Sequence, residues 1–344
     1  MARRASAIEK LRQQDHGTII VDAGDALLAR LIPPPTQGDL NKAEAMMRAH
    51  GLIGLDAMAV GEAELGVGLP RLRLLQRQTS QTLLCANLVT TAGKPVFEAG
   101  KLLETGGVKV GLAAVLELPL TEKPSADLLR RSRLKLADPV AAARAQVAAL
   151  KARGAELMLL LAHVGMDRAR DLARQVKGIH LVLVAHSGQL YSLPIRAGET
   201  YLVEPGRRGQ DVGHVQFRLG PDWAADQVLT DDSPRHVLYT EAAQELAQIA
   251  RQPSRRPASE QDPRLLRARS LAQRLQTTPA PSGKHFIVAR LVTLDDAFTD
   301  NAAVKGLMNA SRASWHVAPV RSGTRPVKIQ PLTREQVRQI QVEQ

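Results

Sequence analysis

The sequence contains a single cysteine, Cys85. No disulfide within the chain and no cluster of thiolate metal ligands is therefore available to it. Cys85 closes the apolar run at 82–85 and reads as a small buried hydrophobe. Aromatic residues make up only 3%, too few to stack a row of bases, so nucleic acid is a poor partner on that count. No run reaches the ~18 apolar residues that a membrane-spanning helix needs. The opening MARRASAIEKLRQQ has no apolar signal core and reads as an amphipathic helix. No export signal is expected in the chain as written. No internal repeat is present either.

What is there is ample for burial. The 344 residues are 44% hydrophobic, enough for one large domain or two ordinary ones. The net charge of +12 is concentrated at one end: residues 251–344 hold 16 Lys+Arg against 7 Asp+Glu and contribute +9. A solvated basic tail is the expectation. Binding of nucleic acid or an anionic surface by this tail is the third of three functional readings.

The stretch that organises the chain is GTIIVDAGDAL (17–27). Its β-branched run makes a buried strand, and Asp22-Ala23-Gly24-Asp25 breaks it. An Asp just past a buried strand sits where α/β folds place ligands, and Gly24 leaves the Asp25 carboxylate free to face a crevice. The alternative is that Asp22 or Asp25 caps the next element. From there the pattern predicts a helix at 4–15, a loop at 31–38, and a helix at 40–50 capped by Asp39 and ended by Gly51. It predicts strands at 56–60, 82–85, 96–104 and 108–115, with a basic helix at 70–78. Asp138-Pro139 starts the clearest helix, and Gly154 follows its end. Strands at 156–162 and 180–185 end on His163 and on His186-Ser187-Gly188. Three β segments at 191–219 read as a meander. Helices are expected at 235–251, 264–276 and 301–313, a strand at 286–294, links at 252–258 and 277–282, a linker at 317–331 and a polar helix at 333–344.

Four strand ends thus carry metal-capable side chains: Asp25, Glu62, His163 and His186. If those strands share a sheet, the four converge on one edge. Two carboxylates and two imidazoles suit zinc, manganese or iron. Alternatively, His163 and His186 are hydrogen-bonded loop residues, two of the chain's nine histidines.

Several stretches, in order, resemble the 5′-nucleotidase branch of the calcineurin-like metallophosphatases. ARRASAIEKL followed by GTIIVDAGD is similar to that family's Gly-Gly-x-Ala-Arg-Arg helix, strand and Asp-Ala-Gly-Asp. LDAMAVGEAEL (55–65) resembles its Tyr-Asp-Ala-x-x-x-Gly-Asn-His-Glu-Phe, and LLCANL (83–88) its Ser-Ala-Asn-Ile/Leu strand. GGVKVGLAAV (106–115), LLAHVG (160–165) and LVLVAHSG (181–188) are similar to its Gly-x-Lys-Val-Gly, Ser-His-x-Gly and Gly-Gly-His-Ser/Thr-His. EPGRRGQDVGHVQF (204–217) and FIVARLVTLDDAFTDNAAVKGL (286–307) resemble its closing segments.

The resemblance implies a four-layer αββα sandwich of two mixed β-sheets flanked by helices, lacking the first metal-ligand strand. It implies a metallophosphatase-like core at 1–220, a helical part of the same domain with basic linkers at 221–316, and a basic, low-order tail at 317–344. The chain departs from the family at the site. The Asp-x-His pair expected upstream of the first helix has no counterpart in the chain as written. The expected explanation is an internal start at Met1 or a fragment, with a periplasmic location if an export signal was lost with it. Glu62 stands at the Asn ligand, Ala63 at the catalytic His, and Gly188 at the second His of His-x-His. Of the ligands to one family metal only Asp25 survives. The ligands to the other map onto Asp25, Glu62, His163 and His186. The resemblance therefore implies one divalent metal ion (Mn, Zn or Fe), no catalytic His, and a 5′-nucleotidase-type phosphoesterase with weak hydrolysis of a phosphate-ester small molecule. The alternative is an inactive metallophosphatase fold kept for binding or structure. Nothing in the few C-terminal aromatics supports nucleotide specificity; Trp315 reads as locally packed or as the start of a partner-binding segment.

Overall fold

A computed structural model describes residues 1–15, 17–29, 31, 34–119, 123–224, 227–251, 263–279 and 283–316. The expected linker at 317–331, the polar helix at 333–344 and the link at 252–258 lie outside the described residues. In chain order, helix α1 (Ala2–Gln14) leads to strand β1 (Val21–Asp22), helix α2 (Gln37–Ile53), strand β2 (Ala57–Ala59) and helices α3 (Glu62–Gly66) and α4 (Leu69–Thr79). Strands β3 (Leu83–Leu84), β4 (Leu88–Thr90), β5 (Gly100–Thr105) and β6 (Val108–Leu116) precede α5 (Lys123–Ser132), β7 (Leu134–Leu136), α6 (Pro139–Ala152) and β8 (Leu157–His163). Then come α7 (Met166–Gln175), β9 (Leu181–Ala185), β10 (Ile195–Ala197), β11 (Thr200–Val203), β12 (Asp211–Arg218) and β13 (Thr230–Asp231). Helices α8 (Ser233–Arg251) and α9 (Pro263–Thr277), strand β14 (Phe286–Thr293), helix α10 (Ala302–Arg312) and a 3-10 turn at Ala313–His316 complete the order.

Side-chain alternation along the strands sets the layers. In β8, Leu157, Leu159 and Leu161 face a core shared with Ala57 and Ala59 of β2 and Ile287 and Ala289 of β14. Met158, Leu160 and Ala162 face the opposite way, into a core filled by Val140, Val147 and Leu150 of α6 and Leu172 of α7. Burial on both faces is why β8 reads as an unbroken apolar run. Each such leucine taken out of water stabilises the fold by about 1.5–3 kcal/mol. One layer is a six-stranded sheet ordered β5-β6-β8-β9-β11-β10, with antiparallel edge strands on a parallel centre. Facing it are two three-stranded sheets, β1-β2-β3 and β12-β14-β13. Met58 of β2 and Leu83 of β3 pack outward with Met47 of α2 and Leu72 and Leu75 of α4. The order is therefore helices, sheet, sheet, helices, the αββα sandwich that the resemblance implies, with the second β layer divided between two sheets where one was expected. Among the described residues, no helix is long and apolar enough to cross a membrane.

Local chemistry explains where the elements start. The Asp138 carboxylate accepts from the N–H groups of Val140 and Ala141, and Pro139 opens α6, as the sequence predicts. Helix α2 differs from expectation. Thr36 is the N-cap, and Asp39 is the third helical residue, its carboxylate accepting from the Thr36 N–H. Gly51 remains helical, and the helix ends at Gly54 with φ 73°. The capping box reaches one turn further out than an Asp cap would, and Gly54 supplies the left-handed residue that Gly51 does not. The single strand expected at 96–104 is instead β5 alone, while β4 pairs with β7 in a separate two-stranded ribbon. The expected meander at 191–219 is divided. β10 and β11 form a hairpin on the six-stranded sheet, whereas β12 leaves it to pair with β14. Cys85 is 1% exposed, and burial pushes its thiol up to about 12.

Candidate metal centre

Asp25, His163 and His186 come together although their strands do not share one sheet. β1 belongs to a three-stranded sheet, and β8 and β9 to the six-stranded sheet facing it. The side chains meet across the sandwich, at the carboxyl ends of both layers, which corrects the expectation of one common edge. Their ligand atoms lie within 4.8 Å of one another.

The loop after β1 is bent by its own residues. Asp22 Oδ1 accepts from the Gly24 N–H at 3.0 Å, and Gly24 takes φ 99°. Asp25 follows at φ 59°, a left-handed conformation that a non-glycine residue holds only when its surroundings fix it. Glu64 fixes it. This wholly buried carboxylate accepts from the N–H groups of Asp25 (2.8 Å), Ala26 (2.9 Å), Leu27 (3.2 Å) and Gly61 (2.8 Å). Burial and the Asp25 charge push the Glu64 carboxyl up to about 7, and the N–H bonds oppose any further rise.

So held, Asp25 presents both oxygens. Oδ1 accepts from the Ala63 N–H at 2.8 Å, and Oδ2 stands 3.3 Å from His163 Nε2. His163 is the last residue of β8 and is fully buried. Its Nδ1 lies 3.0 Å from the Ala23 carbonyl oxygen. Donation from Nδ1 to that oxygen leaves Nε2 facing Asp25, the arrangement by which a second hydrogen bond orients a metal-binding imidazole. Burial opposes charge on both groups, but their mutual attraction wins. Asp25 is held below the usual carboxylate range, and His163 is raised to about 9. His186 follows β9 with φ 87°, its ring 5.1 Å from that of His163 at 66°.

Two glycines make the close approach sterically possible. A Cβ on Gly61 would lie 2.5 Å from Asp25 Oδ1 and 2.9 Å from His163 Cε1. One on Gly24 would lie 3.0 Å from His163 Nδ1. Glu62 is one step out, its Oε1 3.8 Å from His186 Nδ1 and outside the group of three. Ala63 contributes a backbone N–H to Asp25 and a buried methyl. Glu64 and Gly61 are not among the candidates that the sequence pattern singles out. The signal for both was present in Gly61-Glu62-Ala63-Glu64, where an acid three residues after a glycine at a helix start can turn back onto backbone N–H groups.

The donor set fits a divalent cation. One carboxylate and two imidazoles suit zinc, manganese or iron. The His163 Nε2 is a buried nitrogen with no hydrogen-bond partner of good geometry, directed at an anionic oxygen.

No protein-family model matches the chain. Mouse 5′-nucleotidase is 25% identical over 230 residues, covering 63% of this chain and 38% of the mouse protein. The trifunctional nucleotide phosphoesterase YfkN of Bacillus subtilis is 25% identical over 224 residues, 58% of this chain and 15% of that one. The chain thus spans well under half the length of the curated relatives it matches. Among solved structures, the sulfate thiohydrolase SoxB of Thermus thermophilus superposes with a TM-score of 0.64 at 17% identity, covering 91% of this chain and 46% of SoxB. The calcineurin-like phosphoesterase structure of YfkN gives 0.63 at 16% identity, over 92% of this chain and 89% of that chain. In sequence the chain is similar to 5′-nucleotidases, and in fold to a calcineurin-like phosphoesterase.

Proposed function

We propose that this chain is a 5′-nucleotidase-type phosphoesterase domain with one divalent cation site and weak hydrolysis of phosphate esters. The observation that carries the reading is the Asp25–His163–His186 cluster at the mouth of the sandwich, with His163 Nε2 facing the Asp25 carboxylate. Asp25, His163 and His186 would hold the cation, with the Glu62 carboxylate beside His186 as a further oxygen donor. Such a cation supplies Lewis-acid polarisation of a phosphoryl oxygen and a lowered pKa for water. The Ala23 carbonyl orients His163, Glu64 shapes the Asp25 loop, and Gly61 leaves room for both.

Ala63 favours a modest activity. A group that gives or takes a proton in the transition state contributes typically ~10²–10⁴-fold, and a methyl does neither. The same observation supports the second reading, in which the fold and its cation serve binding rather than turnover. Hydrolysis of p-nitrophenyl phosphate and bis(p-nitrophenyl) phosphate with added Mn²⁺ tests the choice. The proposal expects slow, Mn²⁺-dependent release of p-nitrophenol that Asp25→Ala abolishes. Metal bound without any Asp25-dependent turnover would favour the binding reading.

A further inference from the structure

Beside the His186 loop stands a cation that the metal cluster does not use. Gly188 lies two residues past His186 with φ 64°. An added Cβ there would find Arg207 Cδ at 3.4 Å, Cβ at 3.5 Å and Cγ at 3.9 Å. The stem of Arg207 therefore lies against the loop that carries His186, where the residue at 188 has no side chain of its own. Arg207 is exposed. Among the described residues no carboxylate pairs with it.

The segment bearing Arg207 is tied to the His186 loop. Ser187 Oγ donates to the buried Glu204 Oε2 at 2.6 Å, and the Tyr191 N–H donates to the Glu204 carbonyl oxygen at 3.1 Å. Leu190 and Pro205 form a β-bridge across the same gap. On the other side, Arg4 of α1 packs so close to Gly209 that a Cβ there would lie 1.6 Å from Arg4 Nη2. The bend is thus clamped from both flanks, and Arg207 is carried on a fixed loop beside a candidate ligand. Of the carboxylates nearby, Asp25 and Glu62 face His163 and His186, and Glu204 accepts from Ser187. A guanidinium whose stem is packed and whose fork is free suits two oxygens of a tetrahedral anion.

We propose that Arg207 is an oxyanion-binding residue of this centre, its guanidinium taking oxygens of a phosphate group that binds at the cation. The inference rests on the metal-site reading given above. Isothermal titration calorimetry with inorganic phosphate, on the full chain loaded with Mn²⁺, tests it. Arg207→Ala is compared with Arg208→Ala, which removes the same charge one residue away. Arg207→Lys keeps the charge without the fork, and elemental analysis reports the metal content of each protein. The expected result is unchanged metal in all three variants and phosphate bound about tenfold or more weakly by Arg207→Ala. Arg208→Ala should stay within about threefold of the parent, and Arg207→Lys should fall between. Equal weakening by Arg207→Ala and Arg208→Ala would overturn the proposal, as would loss of metal in Arg207→Ala or failure of the metal-loaded parent to bind phosphate. A parent that holds no metal would instead overturn the metal-site reading itself.

Discussion

Gly61→Ala isolates the steric claim of the site. Gly61 has φ −102° and ψ −171°, an extended conformation open to any residue, so the substitution carries no backbone penalty. The new methyl would stand 2.5 Å from Asp25 Oδ1 and 2.9 Å from both the Asp25 nitrogen and His163 Cε1. Ordinary contact needs about 3.4 Å or more, so the Asp25 carboxylate must retreat by about 1 Å. Overpacking of this kind costs about 1–3 kcal/mol, and the lower unfolded-state entropy of Ala returns about 0.4–1 kcal/mol. The net expectation is a loss of about 1–2 kcal/mol in urea denaturation, with Mn²⁺ affinity reduced tenfold or more because Asp25 no longer faces His163. Gly306→Ala is the matched control. Gly306 lies within α10 with nothing within 4 Å of an added Cβ, so the same change there should stabilise by about 0.5–1 kcal/mol. A Gly61→Ala protein with parental stability and parental Mn²⁺ affinity would refute the placement of Asp25 against Gly61.

Glu64→Ala strips four N–H groups, those of Leu27 and Gly61 buried and those of Asp25 and Ala26 part-buried, of their acceptor and should lower stability by about 2–4 kcal/mol and impair metal binding; unchanged denaturation would contradict its role in shaping the Asp25 loop. Because His163 is raised from 6.5 to about 9 by Asp25, its contribution to metal-free stability is fully present below about pH 6.5 and is lost as pH rises through 9. Denaturation midpoints of the metal-free protein should fall across that window, and a flat profile in both parent and His163→Gln would contradict the pairing. The Cys85 thiol, buried and pushed up to about 12, should carry about one thiolate in 10⁴ at pH 8. A disulfide reagent should therefore label it only at the rate of unfolding, and rapid stoichiometric labelling of the native protein would contradict its burial.

The buried β8 run, the Asp138-Pro139 helix start and the two histidines at strand ends were legible because each rests on local chemistry: apolar continuity, a capping carboxylate and an abrupt change of polarity. Glu64 was not. Its value depends on where the 25–27 backbone lies, 37–39 residues away in sequence. The division of β10–β11 from β12 was equally invisible, since the glycines in that stretch mark turns without saying which sheet each strand joins. Helix α2 starts ahead of Asp39 for a local reason. Asp39 and Thr36 are both good caps, and the reciprocal bonds between them decide in favour of the outer one. Convergence of the site across two sheets could not be read from strand ends alone, which report an edge but not the layer that owns it.

The proposed centre has Asp25, His163 and His186 holding one divalent cation. Elemental mass spectrometry of the purified chain, after dialysis against Mn²⁺ and separately against Zn²⁺, tests it most directly, with Asp25→Ala and His186→Ala beside the parent. About one metal ion per parent chain is expected, lost from both variants while their folded circular-dichroism spectra persist. No metal above background in the parent, or full retention in both variants, would contradict it.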